Sequence, residues 1–510
     1  MDKLRKILLI AVAIIAMAGL FTACLDDIDL YPVENNMTQA FYSSELEVNQ
    51  AALGIYARLG KNGSNDDFPT IYYWMASENR SDLLYIRTDA NAQRDQMDFR
   101  KYQIASTTVT ASNIYVRLYT VVKEANNLLH FTRDKAADYV RYRAEAYFMR
   151  AYAYHELARA FGPTALNLEP TENGVAIAKP RTPTADIYTQ IISDLAEASA
   201  GLDDFYAGAE AGRAGKIAAQ ALLGQVYMTM AGYPNNDREA TAKAETTLAA
   251  ILPQVNARWC PDFAELFLLE NENKYDLFSI QFASGSASFA TGSSLPGYIT
   301  SGSSSETPFP DWAYSSYSVQ GQDMCVDTLF VNAMQAENDL RLPASVDTGF
   351  YTGRGVNRIY TEKNIVTKFL EKDPTNALIK AWNDYPRNFT VLRPADVYLL
   401  YAEALVNNGK AGAALPYINK IRARAGLPEA TEASLDVIKE ERKREFIGEG
   451  KRYFDLVRWG EAEAVARLAE FTNYYNTAFN SVVPTKRDLL LPIPQNEMKT
   501  RTNWENNFGY

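Results

Sequence analysis

The stretch Glu440–Gly460, EERKREFIGEGKRYFDLVRWG, is the part of this sequence that says most about its fold. From Lys439 to Arg458 the chain holds seven cationic and five anionic side chains. Opposite charges at three- and four-residue spacing predict ion pairs along helices rather than a basic patch. Apolar side chains interleave with these charges: Phe446, Phe454, Leu456 and Trp459. Because an unpaired buried charge is costly, we expect a fully paired network that fastens the C-terminal helices to the rest of the fold.

Helical periodicity extends outward from this run through most of the chain. Amphipathic patterns cover residues 37–60, 106–132, 139–161, 186–202 and 214–231, and the third of them stops at Gly162-Pro163. Leu223-Gly224-x-x-Tyr227 matches the first helix of a tetratricopeptide repeat. Residues 393–427 span about one 34-residue repeat, with Ala402 and Ala414 twelve positions apart. One such match would indicate an ordinary helix hairpin, but the recurrence favours a mostly α fold with a tetratricopeptide-like scaffold.

Composition excludes several functions for this chain of 510 residues. Its net charge of −11 argues against a surface that neutralises phosphates, so we expect no nucleic-acid partner. Two histidines, His130 and His155, give no His-ligated metal site, and we expect no metal and no cofactor. Cys24, Cys260 and Cys325 cannot form a disulfide framework. We expect buried thiols at Cys260 and Cys325, and packing or surface roles for both histidines.

The N-terminus indicates export and lipid attachment. A basic start precedes the apolar run Ile7–Phe21, which is too short to span a bilayer and reads as a signal peptide over residues 1–23. Leu20-Phe21-Thr22-Ala23-Cys24 resembles a bacterial lipobox, with Phe21 where leucine is usual, so lipidation of Cys24 is predicted. The alternative is a cleaved, unanchored protein. Residues 24–36 form an acidic tether, and Leu25-Asp26-Asp27-Ile28-Asp29 resembles a surface-export tag of Bacteroidetes lipoproteins.

The middle of the chain breaks the helical pattern. Thirteen of the 22 residues from Ser284 to Ser305 are Ser or Gly, and aromatic residues follow directly. We therefore predict an irregular, loop-rich region over 284–392 between a helical part, 37–283, and a C-terminal repeat-like part, 393–510. Within it, 358–360 and 365–369 look extended, and the other residues from 323 to 393 show no regular pattern.

Several long motifs resemble the SusD/RagB family. They are the opening run Glu440–Gly460, Arg393-Pro394-Ala395-Asp396 through Ala404, residues 419–427, Leu491-Pro492-Ile493-Pro494, and Arg143 through the closing Phe161-Gly162. Together with the lipoprotein signal they cover essentially the whole chain in the family's order. The resemblance implies a SusD-like fold in which the helical scaffold packs against the loop-rich, ligand-binding region.

The resemblance also implies a function. It implies a cell-surface lipoprotein of the outer membrane, without catalysis, that binds a glycan and acts as a lid on a SusC-like TonB-dependent transporter. A peptide-binding protein of the RagB kind, with the same transporter, remains an alternative. A surface glycoside hydrolase would need two positioned carboxylates, which the sequence neither shows nor excludes. A pure repeat scaffold would not need the aromatic loop.

Candidate ligand residues combine aromatic rings with polar groups, as sugar recognition requires. Trp74 and Asn79 are carried over from the family's binding segment, and the Ser/Gly-rich region supplies Tyr298, Trp312, Tyr314 and Tyr317. Each of these could instead be a core residue. The chain has 32 tyrosines, and those at helical spacing are expected to pack between helices: Tyr147, Tyr152, Tyr154, Tyr227, Tyr398 and Tyr401.

Overall fold

The structure is a computed structural model. It describes residues 41–61, 67–88, 94–170, 179–284, 291–299, 323–352, 359–370 and 384–510. The chain divides into two compact units, residues 1–48 and 49–510. In the described part of the first unit, the hydroxyls of Ser43 and Ser44 each donate to the Glu47 carboxylate at 2.8 Å. The predicted signal peptide, Cys24 and the acidic tether lie outside the described residues.

Helices dominate the described chain, which confirms the mostly α fold class. The longer ones are α1 (Glu45–Ala57), α2 (Arg94–Arg100), α3 (Val109–Phe131), α4 (Val140–Phe161), α5 (Thr184–Gly201), α6 (Lys216–Ala231) and α7 (Arg238–Ala257). The middle holds α8 (Leu295–Ile299), α9 (Thr328–Ala336) and α10 (Leu342–Ser345). The C-terminal part holds α11 (Pro394–Asn407), α12 (Ala411–Arg424), α13 (Leu435–Glu445), α14 (Arg452–Trp459), α15 (Glu461–Tyr475) and α16 (Gln495–Thr500).

The helices from α3 to α7 pack each on the next, and α11 continues this array by packing on α7 and α12. Small residues set the close approaches that the repeat pattern predicts. A Cβ at Gly224 would overlap Leu248, so glycine lets α6 and α7 touch. Ala402 and Ala414 are both fully buried between α11 and α12. The tetratricopeptide-like pairing is therefore confirmed at the level of helix contacts.

Over the described residues, three short antiparallel strand pairs accompany the helices: β1 (Leu84–Thr88) with β3 (Asp323–Val326), β2 (Phe278–Ile280) with β6 (Phe389–Leu392), and β4 (Val346–Thr352) with β5 (Ile359–Val366). The region 323–393 is thus more regular than the sequence pattern indicates. Two of the pairs join segments far apart in sequence, such as Leu84 and Val326, and periodicity within one segment carries no sign of such partners.

Aromatic, cysteine and histidine side chains largely pack as predicted. Tyr152 and Tyr154 are fully buried and Tyr398 nearly so, whereas Tyr147, Tyr227 and Tyr401 are half-buried. Cys260 and Cys325 are buried. His155 is fully buried and its ring lies 6.2 Å from that of Tyr188, while His130 is half-exposed beside Glu169. Burial and the nearby Arg159 hold the pKa of His155 well below its usual value, so this imidazole is neutral.

The charge-rich opening run forms the buried, paired network that its pattern predicts. Glu445 lies at its centre, with no exposed surface. Its carboxylate accepts from Arg393 at 2.5 Å, from Arg424, and from Arg341 at 3.4 Å. Arg393 also donates to Glu449 at 2.8 Å. These ion pairs join α11, α12, α13 and the segment that precedes α10.

Candidate functional site

The segment that follows residue 67 forms the base of the candidate site. It runs as a π-helix, Pro69–Ser77, and then one turn of 3₁₀-helix, Glu78–Arg80. Proline at the first helical position lacks the N–H that would otherwise be left unbonded there. Every residue of these two elements is buried. π-helical turns are rare and often occur at functional sites, so this conformation by itself makes the segment a candidate functional site.

Two predicted ligand residues lie on this segment, and the structure buries both. Trp74 has 3% of its surface exposed and Asn79 has none. The backbone carbonyl of Asn79 accepts a hydrogen bond from Arg100 at 2.7 Å. Both side chains are therefore part of a packed element, with at most an edge of Trp74 open to a ligand.

The third described candidate, Tyr298, comes close to the same element. It is 3% exposed on α8, which packs against the π-helix. The Asp67 carboxylate joins the two segments: it accepts from the Ser294 N–H at 2.5 Å, from the Ser293 hydroxyl at 3.0 Å, and from the Thr70 N–H at 2.8 Å. Trp312, Tyr314 and Tyr317 lie outside the described residues.

A second carboxylate, that of Asp384, binds the same segment, 291–299. Asp384 accepts from the Gly292 N–H at 2.7 Å, and Ser293 and Tyr385 exchange backbone hydrogen bonds of 2.7 and 3.0 Å. The described ends of three chain segments, 67–70, 291–299 and 384–385, therefore meet at one position. In the sequence, α8 is followed by the segment that carries Trp312, one of the predicted ligand residues.

Two tyrosines of the π-helix serve as buried hydrogen-bond donors. The hydroxyls of Tyr72 and Tyr73 both donate to Glu156 on α4, the latter at 3.2 Å, and Tyr73 also bonds Tyr152 at 2.7 Å. Burial, followed by the Glu156 charge, raises the pKa of Tyr72 and of Tyr73 well above the usual value. These phenols stay protonated and hold the element on α4.

The C-terminal run, Glu440–Gly460, also binds the π-helix and the 3₁₀ turn that follows it, through the backbone of Gly450. The Gly450 N–H donates to Glu78 at 2.7 Å, and the Ser77 hydroxyl donates to the Gly450 carbonyl at 2.9 Å. Gly450 has a φ of +71°, and a Cβ there would lie 2.6 Å from the Cβ of Tyr73. Burial raises the pKa of Glu78 to about 8, against the opposing effects of the Gly450 N–H and Lys368. Glu78 is therefore mainly protonated at neutral pH.

A neighbouring acid behaves in the opposite way. Burial alone would raise the pKa of Asp82, but Arg452 and Lys443 hold it well below its usual value. Asp82 accepts from Arg452 at 2.7 and 2.9 Å and from Arg467 at 2.8 Å. The same short segment thus carries one neutral and one charged acid, and both bind it to the C-terminal run.

Sequence reasoning missed four residues that assemble this site, namely Asp67, Ser293, Ser294 and Asp384. Asp67 carries a local signal, because an aspartate shortly before Pro69 and Thr70 is typical of a helix start. The other three have none, since their partners lie far away in sequence. Over the described residues no cluster of three or more His, Cys, Asp or Glu side chains is placed to hold a metal ion.

The architecture and motifs agree with matches to known proteins. The model of the SusD family matches residues 312–510, and that of a family described as "Starch-binding associating with outer membrane" matches residues 32–228. The chain belongs to the SusD/RagB family. Within the described part of the chain, no helix is both long and apolar enough to cross a bilayer.

Individual relatives cover nearly the whole chain. A SusD-like protein of Bacteroides ovatus is 26% identical over 479 residues, 89% of this chain and 82% of the relative. The starch-binding protein SusD of Bacteroides thetaiotaomicron is 23% identical over 582 residues, 100% of this chain and 99% of the relative. Among solved structures, surface glycan-binding protein A of Bacteroides fluxus superposes with a TM-score of 0.75 at 25% identity, covering 92% of this chain and 100% of that one.

Proposed function

We propose that this chain is a non-enzymatic capture protein that binds a glycan and delivers it to a SusC-like TonB-dependent transporter. The observation that carries the proposal is similarity over almost the full length to proteins named as starch-binding and surface glycan-binding. The geometry is compatible with it, because the carboxylates of Asp67 and Asp384 both bind the segment 291–299, which carries Tyr298.

The ligand contacts are proposed as two groups. Trp312, Tyr314 and Tyr317 would stack on the apolar faces of sugar rings. Trp74 and Tyr298, each 3% exposed, would offer only an edge at the base of the site. Asn79, with no exposed surface, would act by holding the segment in place.

Affinity electrophoresis against a panel of polysaccharides, beside calorimetry with oligopeptides, tests this proposal. We expect retardation by at least one glycan, and a roughly fivefold loss of affinity in Tyr314→Ala or Trp312→Ala, since one stacking contact is worth roughly 1 kcal/mol. Tyr474→Ala, at a tyrosine that is 67% exposed on α15, is the matched control and should bind normally. Peptide binding without glycan binding would instead favour the RagB-type alternative.

Trp74 needs a milder substitution than alanine. Truncation of a buried tryptophan costs about 3–5 kcal/mol of stability, which would hide any effect on binding. Trp74→Phe keeps an aromatic ring, and its affinity, measured after folding is verified by circular dichroism, reports whether Trp74 touches the ligand.

We further propose that the protein is anchored in the outer membrane, facing outward, through lipid on Cys24. The lipobox resemblance supports this anchor, because several acyl chains at one cysteine give stable attachment. Cys24→Ser should move the protein from the membrane fraction to the soluble fraction. Cys260→Ser, which changes a buried cysteine, should leave it in the membrane fraction. Membrane association that survives Cys24→Ser would refute the lipid anchor.

A further inference from the structure

A cavity of about 310 Å³ lies where the ends of the repeat helices meet the C-terminal run. Neither Trp74, Asn79 nor Tyr298 lines it. The Phe454 ring forms part of the cavity wall and stacks on Tyr72 of the π-helix, with 5.5 Å between the ring centroids. This ring pair therefore lies between the cavity and the π-helix that carries Trp74.

Most of the cavity wall is apolar. Apolar side chains from several parts of the chain line it, among them Ala158, Tyr188, Leu400, Phe454, Val457 and Leu490. Its volume falls at the lower end of the roughly 300–1,000 Å³ typical of small-molecule sites, which are mostly apolar with a few polar groups that orient the ligand. The size and character of the wall therefore suit a small organic molecule rather than a polymer.

The polar groups at the wall have more donors than acceptors. Arg442 donates through Nε to Asp455 at 2.7 Å, but its buried Nη1 has no protein acceptor among the described residues. The Asn235 side-chain oxygen accepts a hydrogen bond from the Thr184 hydroxyl at 3.1 Å. The buried Nδ2 of Asn235 likewise has no acceptor among the described residues. A buried donor without a partner is costly, so both groups favour a ligand that places an oxygen acceptor in the cavity.

The net charge of the cavity wall does not favour a charged ligand. Each cation at the wall already has a carboxylate partner: Arg159 with Glu156, Arg442 with Asp455, Lys451 with Asp396, and Arg458 with Glu403. The balanced charges give no general attraction for anions. The missing acceptors are therefore the main polar requirement.

We propose that this cavity binds a small, largely apolar molecule that carries a hydrogen-bond-accepting oxygen. The apolar wall takes the body of the molecule, and Arg442 and Asn235 donate to its oxygen. The site is distinct from the described candidate glycan residues, since Trp74, Asn79 and Tyr298 do not line it.

Benzophenone and 1,1-diphenylethylene form a matched pair of probes, because they share one shape and differ in the carbonyl oxygen. We expect benzophenone to bind the full chain saturably and about three- to tenfold more tightly in ligand-observed NMR. On irradiation, benzophenone inserts into nearby C–H bonds, so peptide mass spectrometry should find labels on wall residues. 4-Benzoylbenzoate distinguishes the headgroups: tighter binding than benzophenone indicates an acid as the ligand, and weaker binding indicates a neutral carbonyl compound.

Two variants make the test specific. Gln225→Trp, at a half-buried position on the wall, should fill the cavity and abolish binding and labelling, whereas Gln335→Trp, at an exposed position of α9, should change neither. Asn235→Leu should weaken benzophenone binding and leave 1,1-diphenylethylene unaffected, a difference that a folding defect would not produce. Equal affinity of the two probes, no saturable binding, or labelling that persists in Gln225→Trp would overturn the proposal.

Discussion

At the scale of single residues, Glu78 is the least expected side chain of the site. A carboxyl group with no exposed surface accepts one backbone hydrogen bond, from Gly450, and burial raises its pKa to about 8. The unfolded chain would release this proton at its ordinary pKa near 4.5. Because the folded state holds the proton more tightly, Glu78 makes stability fall as the pH rises from about 4.5 to about 8.

Glu78→Gln should remove that pH dependence, because glutamine keeps the acceptor for the Gly450 N–H and cannot ionise. At pH 7 we expect the variant to be more stable than the natural chain by up to about 3 kcal/mol, and by only about 1 kcal/mol at pH 5. Urea unfolding at both pH values measures the difference. Glu432→Gln, at an exposed position, is the control and should shift stability equally little at both. A pH-independent effect of Glu78→Gln would show that Glu78 is ionised in the folded protein.

At the scale of elements, the clasp between the π-helix and Gly450 decides whether the candidate site keeps its shape. Gly450→Ala should destabilise the protein by at least about 2 kcal/mol, since alanine pays for the left-handed backbone and its Cβ overlaps Tyr73. Thermal unfolding measures this loss, and glycan affinity should fall with it.

Gly409→Ala provides a matched control for this prediction. Gly409 has a similar φ of +74°, but nothing lies within 4 Å of its added Cβ. It should show only the backbone cost, about 1–2 kcal/mol, with normal glycan affinity. If the two variants lose stability equally, the contact with Tyr73 does not constrain the π-helix.

Elements also show how far the sequence alone could reach. The helices α4, α6, α11 and α12 were predictable because their apolar spacing, small residues and stop signals are local. The pairing of Leu84 with Val326 and the bonds from Asp67 to Ser294 were not, because each depends on a partner more than two hundred positions away. Trp74 shows the same limit: an aromatic residue beside polar ones reads as a binding loop, yet its 3% exposure comes from tertiary packing.

At the scale of the whole molecule, buried ion pairs connect parts of the chain that share no local pattern. The single carboxylate of Glu445 forms ion pairs with three arginines, Arg341, Arg393 and Arg424. Burial by itself would raise the pKa of Glu445, but these three arginines outweigh it and hold the pKa well below the usual value. The ionised form therefore stabilises the fold above about pH 4.5, and this contribution is lost as the pH falls further toward the folded pKa.

Glu445→Gln should cost about 3–5 kcal/mol at pH 7, because it leaves a cluster of buried arginines one carboxylate short. The matched control is Glu463→Gln, which breaks the ion pair with Lys439 at 2.6 Å, where Glu463 is about half-exposed; it should cost less than about 1 kcal/mol. Denaturant unfolding at pH 7 and pH 4 distinguishes the two. The natural chain should lose more stability on acidification than Glu445→Gln, since the variant no longer has this carboxylate to protonate. A small effect of Glu445→Gln at pH 7, similar to that of the control, would mean that the arginines find other partners and that Glu445 does not join these segments.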